Sequence, residues 1–190
     1  MAPTVRSRPS LPVVIAIALP LLLAVAVAAI SITARVRGVG EPTPAPPQTG
    51  PLAVVPVDAP DATGPDCTKL LAALPAGLSS GDGTLPTRQQ AEPAQPGVHA
   101  WAAAPQPVVL RCGLPRPSEL NPASALLEIN GVQWLQLSDD APNPEVVTYV
   151  AVDRPIYVVV TEPVDSGSGP LQQLSDVIRA ELPAVPVRVR

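Results

Sequence analysis

Phenylalanine is absent from these 190 residues, and aromatic side chains make up 2% of the chain. Any core is therefore built from Val, Leu, Ile and Ala, with Trp101, Trp134, Tyr149 and Tyr157 as rare bulky fillers. Histidine occurs once, at His99, which limits the acid–base catalysis on offer near neutral pH. It stands beside Trp101 in a stretch read as loop, where a lone exposed His is expected to be incidental. Cysteine occurs twice, and two Cys with one His cannot fill a zinc site unless carboxylates join them. No carboxylates stand at a recognisable ligand spacing. Internal repeats, a Gly-x-Ser-x-Gly elbow, a phosphate-cradling glycine loop and a dinucleotide fingerprint are all missing. No cofactor and no metal are expected.

Proline and glycine are abundant, at 28 and 12 residues, roughly a fifth of the chain and just short of the range typical of disorder. The N-terminal region is the clearest feature. Arg6 and Arg8 precede LPVVIAIALPLLLAVAVAAISITA, residues 11–34, which carries no charge. As a helix rising 1.5 Å per residue this run spans about 36 Å, enough for a hydrocarbon core of ~30 Å. Pro20 is expected to kink it, which a bilayer helix tolerates. A removable signal peptide has a shorter apolar core of about 7–15 residues, so a retained signal-anchor is the expectation. Secretion after cleavage beyond Val27-Ala28-Ala29 is the alternative.

Arg6 and Arg8 on one side balance Arg35 and Arg37 on the other, so the amino-terminal charge and the cysteine pair decide for the N-terminus inside. The expected organisation is a cytoplasmic tail over 1–10, a transmembrane anchor or signal segment over 11–34, a Pro-rich linker over 35–50 and an exported domain over 51–190. With Arg6, Arg8, Arg35 and Arg37 set aside, eight basic residues remain against 16 acidic ones. That surplus argues against nucleic acid as a partner.

Within the exported part, LAVVPV (52–57) reads as a short edge strand broken at Pro56. Pro65 and Asp66 suit the first turn of a helix with Leu70, Leu71 and Leu74 on one face, stopped by Pro75 and Gly77. Residues 79–97 read as a polar loop. PVVLRC alternates Val108, Leu110 and Cys112 against Val109 and Arg111, a strand. LLEINGVQWLQL carries the Asn130-Gly131 signal of a two-residue hairpin, which sets Ile129 opposite Val132 and Leu127 opposite Trp134. EVVTYVAV and IYVVVTE, joined by Asp153-Arg154-Pro155, form a second hairpin. Leu171, Leu174, Val177, Ile178 and Leu182 share one stripe of a final helix, and VPVRVR reads as a terminal strand. The fold class is α+β: a single, mostly antiparallel sheet of four to five strands with two helices, after an N-terminal transmembrane helix.

Cys67 opens the first helix and Cys112 ends a strand. An even cysteine count in an exported domain favours a bond between them. The rival is a nucleophilic Cys112 activated by Arg111 and Arg116, since nearby cations stabilise a thiolate. Strand alternation points Arg111 to the opposite face, and Pro115 interrupts the path to Arg116. The segments DCTKLLAALP, AWAAAPQPVVLRCGLPRP, INGVQWL and RPIYVVV, together with the N-terminal anchor, resemble domain of unknown function 3515, an actinobacterial family of small anchored or secreted proteins. That resemblance implies an envelope location and a paired Cys67 and Cys112, and brings no reaction or ligand with it.

Three further groupings invite a functional reading. VDSGSGP (164–170) echoes the nucleophile segment of trypsin-like proteases, but Val164 replaces the leading Gly, Ser168 splits the Gly pair, and the chain is too short for that fold. It is expected to be a turn leading into the last helix. Asp139-Asp140 lacks the spacing of a calcium loop and is expected to be a solvated turn. Arg111, Arg116, Trp101 and Trp134 are the candidate ligand-binding residues, offering cations and flat rings to an anionic or sugar-like ligand. Burial of both Trp side chains in the core is the competing expectation. The chain is thus expected to be a non-catalytic, membrane-anchored binding or scaffolding module of the cell envelope. Its expected partners are the lipid bilayer, through 11–34, and an envelope protein or wall component. The alternative is a small envelope hydrolase or transferase using carboxylate or Ser residues that the fold brings together.

Overall fold

Asn130 and Gly131 both adopt positive φ, 49° and 77°, the pair of left-handed conformations that a two-residue type I′ turn requires. The structure, a computed structural model, describes residues 11–36, 46–81, 83–137 and 141–189. In it this turn joins β5 (Leu126–Ile129) to β6 (Val132–Leu137). The register is the expected one, with Ile129 opposite Val132 and Leu127 opposite Trp134. Arg6, Arg8, Arg37, most of the Pro-rich linker, Asp139 and Asp140 lie outside the described residues.

Residues 1–43 and 44–190 form two separate units. In the first, the helix α1 runs Leu11–Val36 with Pro20 inside it. Its side chains are described over 17–33, and the large apolar ones among them, from Ile17 to Ile32, are exposed. Among the described residues no helix is long and apolar enough to cross a membrane.

The second unit is built on a six-stranded sheet in the order β3-β4-β8-β7-β6-β5, with every neighbouring pair antiparallel. Here β3 is Val98–Trp101, β4 Val108–Leu114, β7 Val146–Ala151 and β8 Tyr157–Pro163. The second hairpin is therefore present, with Val150 opposite Val159 and Ala151 opposite Val158. A separate two-stranded hairpin, β1 (Gly77–Ser80) and β2 (Gly83–Pro86), lies outside that sheet. The helices α2 (Pro65–Ala73) and α3 (Gly169–Glu181) pack on one sheet face. Leu70, Leu171, Leu174 and Ile178 meet Trp101, Leu110, Trp134, Val158 and Val160 there.

The opposite face carries a smaller cluster of Leu120, Leu135, Val150 and Val152. The C-terminal tail straps it: Val185 N–H donates to the Asp153 carbonyl at 2.9 Å and Val187 packs on the cluster. The turn between β7 and β8 is held by a buried ion pair, Arg154 Nη1 to Asp153 Oδ2 at 2.8 Å. Arg154 Nη2 also donates to the Gly131 carbonyl at 2.8 Å, so one guanidinium ties both hairpin turns together.

Four expectations are corrected. The main sheet has six strands, not four to five, and a second sheet exists. The loop expected over 79–97 contains β2 and the second half of β1. Polar four-residue strands burying only Leu78 and partly Leu85 give too short an alternation to read. Residues 52–57 form no strand, only a bridge from Leu52 to Gln90, because Pro51 and Pro56 remove ladder donors on either side. Residues 185–189 of the terminal VPVRVR likewise make no strand, with Pro183 and Pro186 in the same role.

Candidate functional site

Cys67 and Cys112 form a disulfide, their Cα atoms 5.7 Å apart, and both are buried. Cys112 is thus structural and not a reactive thiol. The four residues offered as a ligand-binding surface do not build one. Trp101 and Trp134 are both 0% exposed. Trp101 Nε1 donates to the Pro75 carbonyl at 3.0 Å, and Trp134 Nε1 to the Ser175 hydroxyl at 3.0 Å. Neither ring offers a face to solvent. Arg111 donates to the Val55 carbonyl at 3.3 Å, and Arg116 to the carbonyls of Arg188 and Leu120. Both arginines fasten chain segments to the sheet. The correction has a physical cause: in a chain without Phe the two indoles are the largest fillers, and the core takes them.

His99 lies in the strand β3 and not in the loop expected for it, and its ring centroid lies 4.5 Å from that of Trp101. Burial lowers its pKa, because desolvation disfavours the charged imidazolium. The protease-like segment is a turn into α3, as its glycines suggest. Ser166 N–H donates to the Pro163 carbonyl at 3.1 Å, and Ser168 stands at the N-cap of α3.

The residue with unexplained chemistry is Glu162, which no pattern singled out. Alternation along β8 places Val158, Val160 and Glu162 in one row, and that row faces the helices. Val158 and Val160 fill the core; Glu162 occupies the next place and is only 3% exposed. It lines a cavity of about 270 Å³ whose wall includes Ile129, Val147, Tyr149, Leu171 and Gln172. Its Oε2 is buried without a hydrogen-bond partner.

Desolvation raises the Glu162 pKa from 4.5 to about 7, while a hydrogen bond with the Ser166 hydroxyl pulls the other way. That hydroxyl also lies 2.8 Å from the Pro163 carbonyl. A hydroxyl has one proton to donate, so it serves the carboxylate or the carbonyl but not both. The opposing pull is correspondingly weak. The pKa of Tyr149, on the neighbouring strand β7 opposite Val160, is raised by burial and then by the Glu162 charge.

The cavity contains one carboxyl group and no second acid, no lysine and no arginine among its lining residues. No group of three His, Cys, Asp or Glu side chains among the described residues can hold a metal ion. The arrangement can accept hydrogen bonds from a ligand or hold a charge of opposite sign. Its trace in the sequence is an acid in phase with Val158 and Val160 in IYVVVTE.

Residues 15–187 match the model of a family described as protein of unknown function, DUF3515. No curated protein and no solved structure matches the chain.

Proposed function

Starting from a chain that belongs to the DUF3515 family, we propose that it is a non-catalytic, membrane-anchored binding module of the cell envelope, with the Glu162 cavity as its ligand site. The single observation that carries the binding reading is the unpartnered Glu162 Oε2 in an apolar-walled cavity. A buried acceptor left without a donor is unfavourable by about 1–3 kcal/mol, a debt that a bound ligand removes. Anchoring is supported by the charge-free run 11–34 and by the helical backbone over Leu11–Val36. Residues 1–10 then lie in the cytoplasm and the C-terminal unit outside. A disulfide whose sulfurs are buried suits that oxidising side of the membrane.

A hydrolase or transferase is the second reading, favoured by a Glu162 held near neutrality, where a general acid or base works best. It lacks the further groups such chemistry needs: the Ser166 hydroxyl lies against a backbone carbonyl, and no second carboxyl lines the cavity. Affinity capture of the tagged full-length protein from native membranes, with cross-linking, separates the two. The binding reading predicts a reproducible envelope partner or wall fragment that is lost in Glu162→Gln. Turnover of a wall-derived substrate by pure protein, abolished by the same substitution, contradicts it.

A further inference from the structure

We propose that the Glu162 cavity receives a primary ammonium group carried on a short apolar chain. The inference rests on the cavity being a ligand site and adds the chemistry of what fills it. Three features of the cavity converge. Its floor offers a carboxyl oxygen that no protein donor reaches. Its wall offers no counter-ion: the titratable groups lining it are Glu162 and Tyr149 alone. Ionised Glu162 is therefore a buried charge that lacks a partner of opposite sign, the costliest state for a carboxylate and the one an ammonium relieves best.

Tyr149 lines the same space, and an aromatic residue beside an acid favours a cation over a neutral donor. Ile129, Val147, Val164 and Leu171 supply apolar contact for a chain of a few carbons. A volume of about 270 Å³ sits just under the usual range of small-molecule sites, so the occupant is a small amine or the end of an amine-bearing side chain, not a whole sugar or peptide.

Occupation is pH-dependent with a definite sign. Below neutrality Glu162 is protonated and an ammonium gains little. Above it the carboxylate and the ammonium coexist, until the amine itself loses its proton near pH 10.

The test uses the full-length chain in detergent micelles, titrated with n-butylamine, n-butanol and Nα-acetyl-lysine amide, binding being followed by calorimetry above and below neutral pH. The expected result is binding of butylamine at least tenfold tighter than butanol above neutrality, with that ratio collapsing below pH 6. In Glu162→Gln the ratio should be lost at both pH values while butanol binding is retained. Comparable binding of the lysine derivative identifies a peptide-borne amine as the occupant; its exclusion identifies a free one. Equal binding of butylamine and butanol overturns the ammonium assignment and leaves the ligand site standing. Absence of binding by all three overturns the ligand site as well.

Discussion

Glu162 carries a stability prediction independent of any ligand. Its folded-state pKa is raised to about 7 from an unfolded value near 4.5. Between those values the native state holds a proton that the unfolded chain has released, so stability falls as pH rises through the window. Below the window the carboxyl is protonated in both states and the penalty vanishes. Above it the penalty is complete, on the order of 3 kcal/mol. Urea denaturation across pH 4 to 8 should show this decline in the native chain and its absence in Glu162→Gln. Arg154 makes the opposite case. It is paired with Asp153 at 2.8 Å, with both side chains buried. Arg154→Met strands a buried carboxylate and should lower stability by about 3–5 kcal/mol. Replacing Asp153 with Leu in the same chain should restore most of that loss, as measured by the denaturation midpoint.

At the scale of elements, legibility followed the strength of local chemistry. The β5–β6 register was readable because only Asn and Gly accept positive φ cheaply at both turn positions. The stripe of α3 was readable because Leu171, Leu174 and Ile178 repeat at helical spacing and all are buried. β1 and β2 were not, since Ser79, Ser80, Thr84 and Pro86 carry no apolar alternation and their hydrogen bonds decide the structure. The site was illegible for a different reason. The indoles and arginines drew attention by type, whereas Glu162 matters by position, and only pairing with β7 shows that its row faces the helices.

Two elements are joined by constraints that can be cut. The disulfide ties α2 to β4 across 45 residues. Replacing both cysteines by Ala should lower stability by roughly 4 kcal/mol, read by urea denaturation, if loop closure is its main contribution. Gly113 sits at the bulge of β4 with φ 84°. A Cβ there would run into the backbone of Asp61 and Ala62. Gly113→Ala should lower the thermal midpoint sharply, since both the left-handed backbone and the close approach exclude a side chain.

For the whole molecule, the proposed location and the construction depend on each other. In the proposed reading an apolar helix holds the chain at a membrane, and an oxidising exterior allows the Cys67–Cys112 bond that braces an aromatic-poor core. Truncation before Ala184 removes the strap that Val185 and Val187 lay over Leu120, Leu135 and Val150. It should expose that face and increase binding of a hydrophobic dye without unfolding the sheet. The decisive experiment on membrane anchoring is protease treatment of intact spheroplasts carrying the full chain with a C-terminal tag, followed by carbonate extraction. External protease is expected to remove the tag, and the undigested chain to stay in the carbonate-resistant membrane fraction. A tag protected until the cells are lysed, or a chain released by carbonate, would contradict the proposed anchoring.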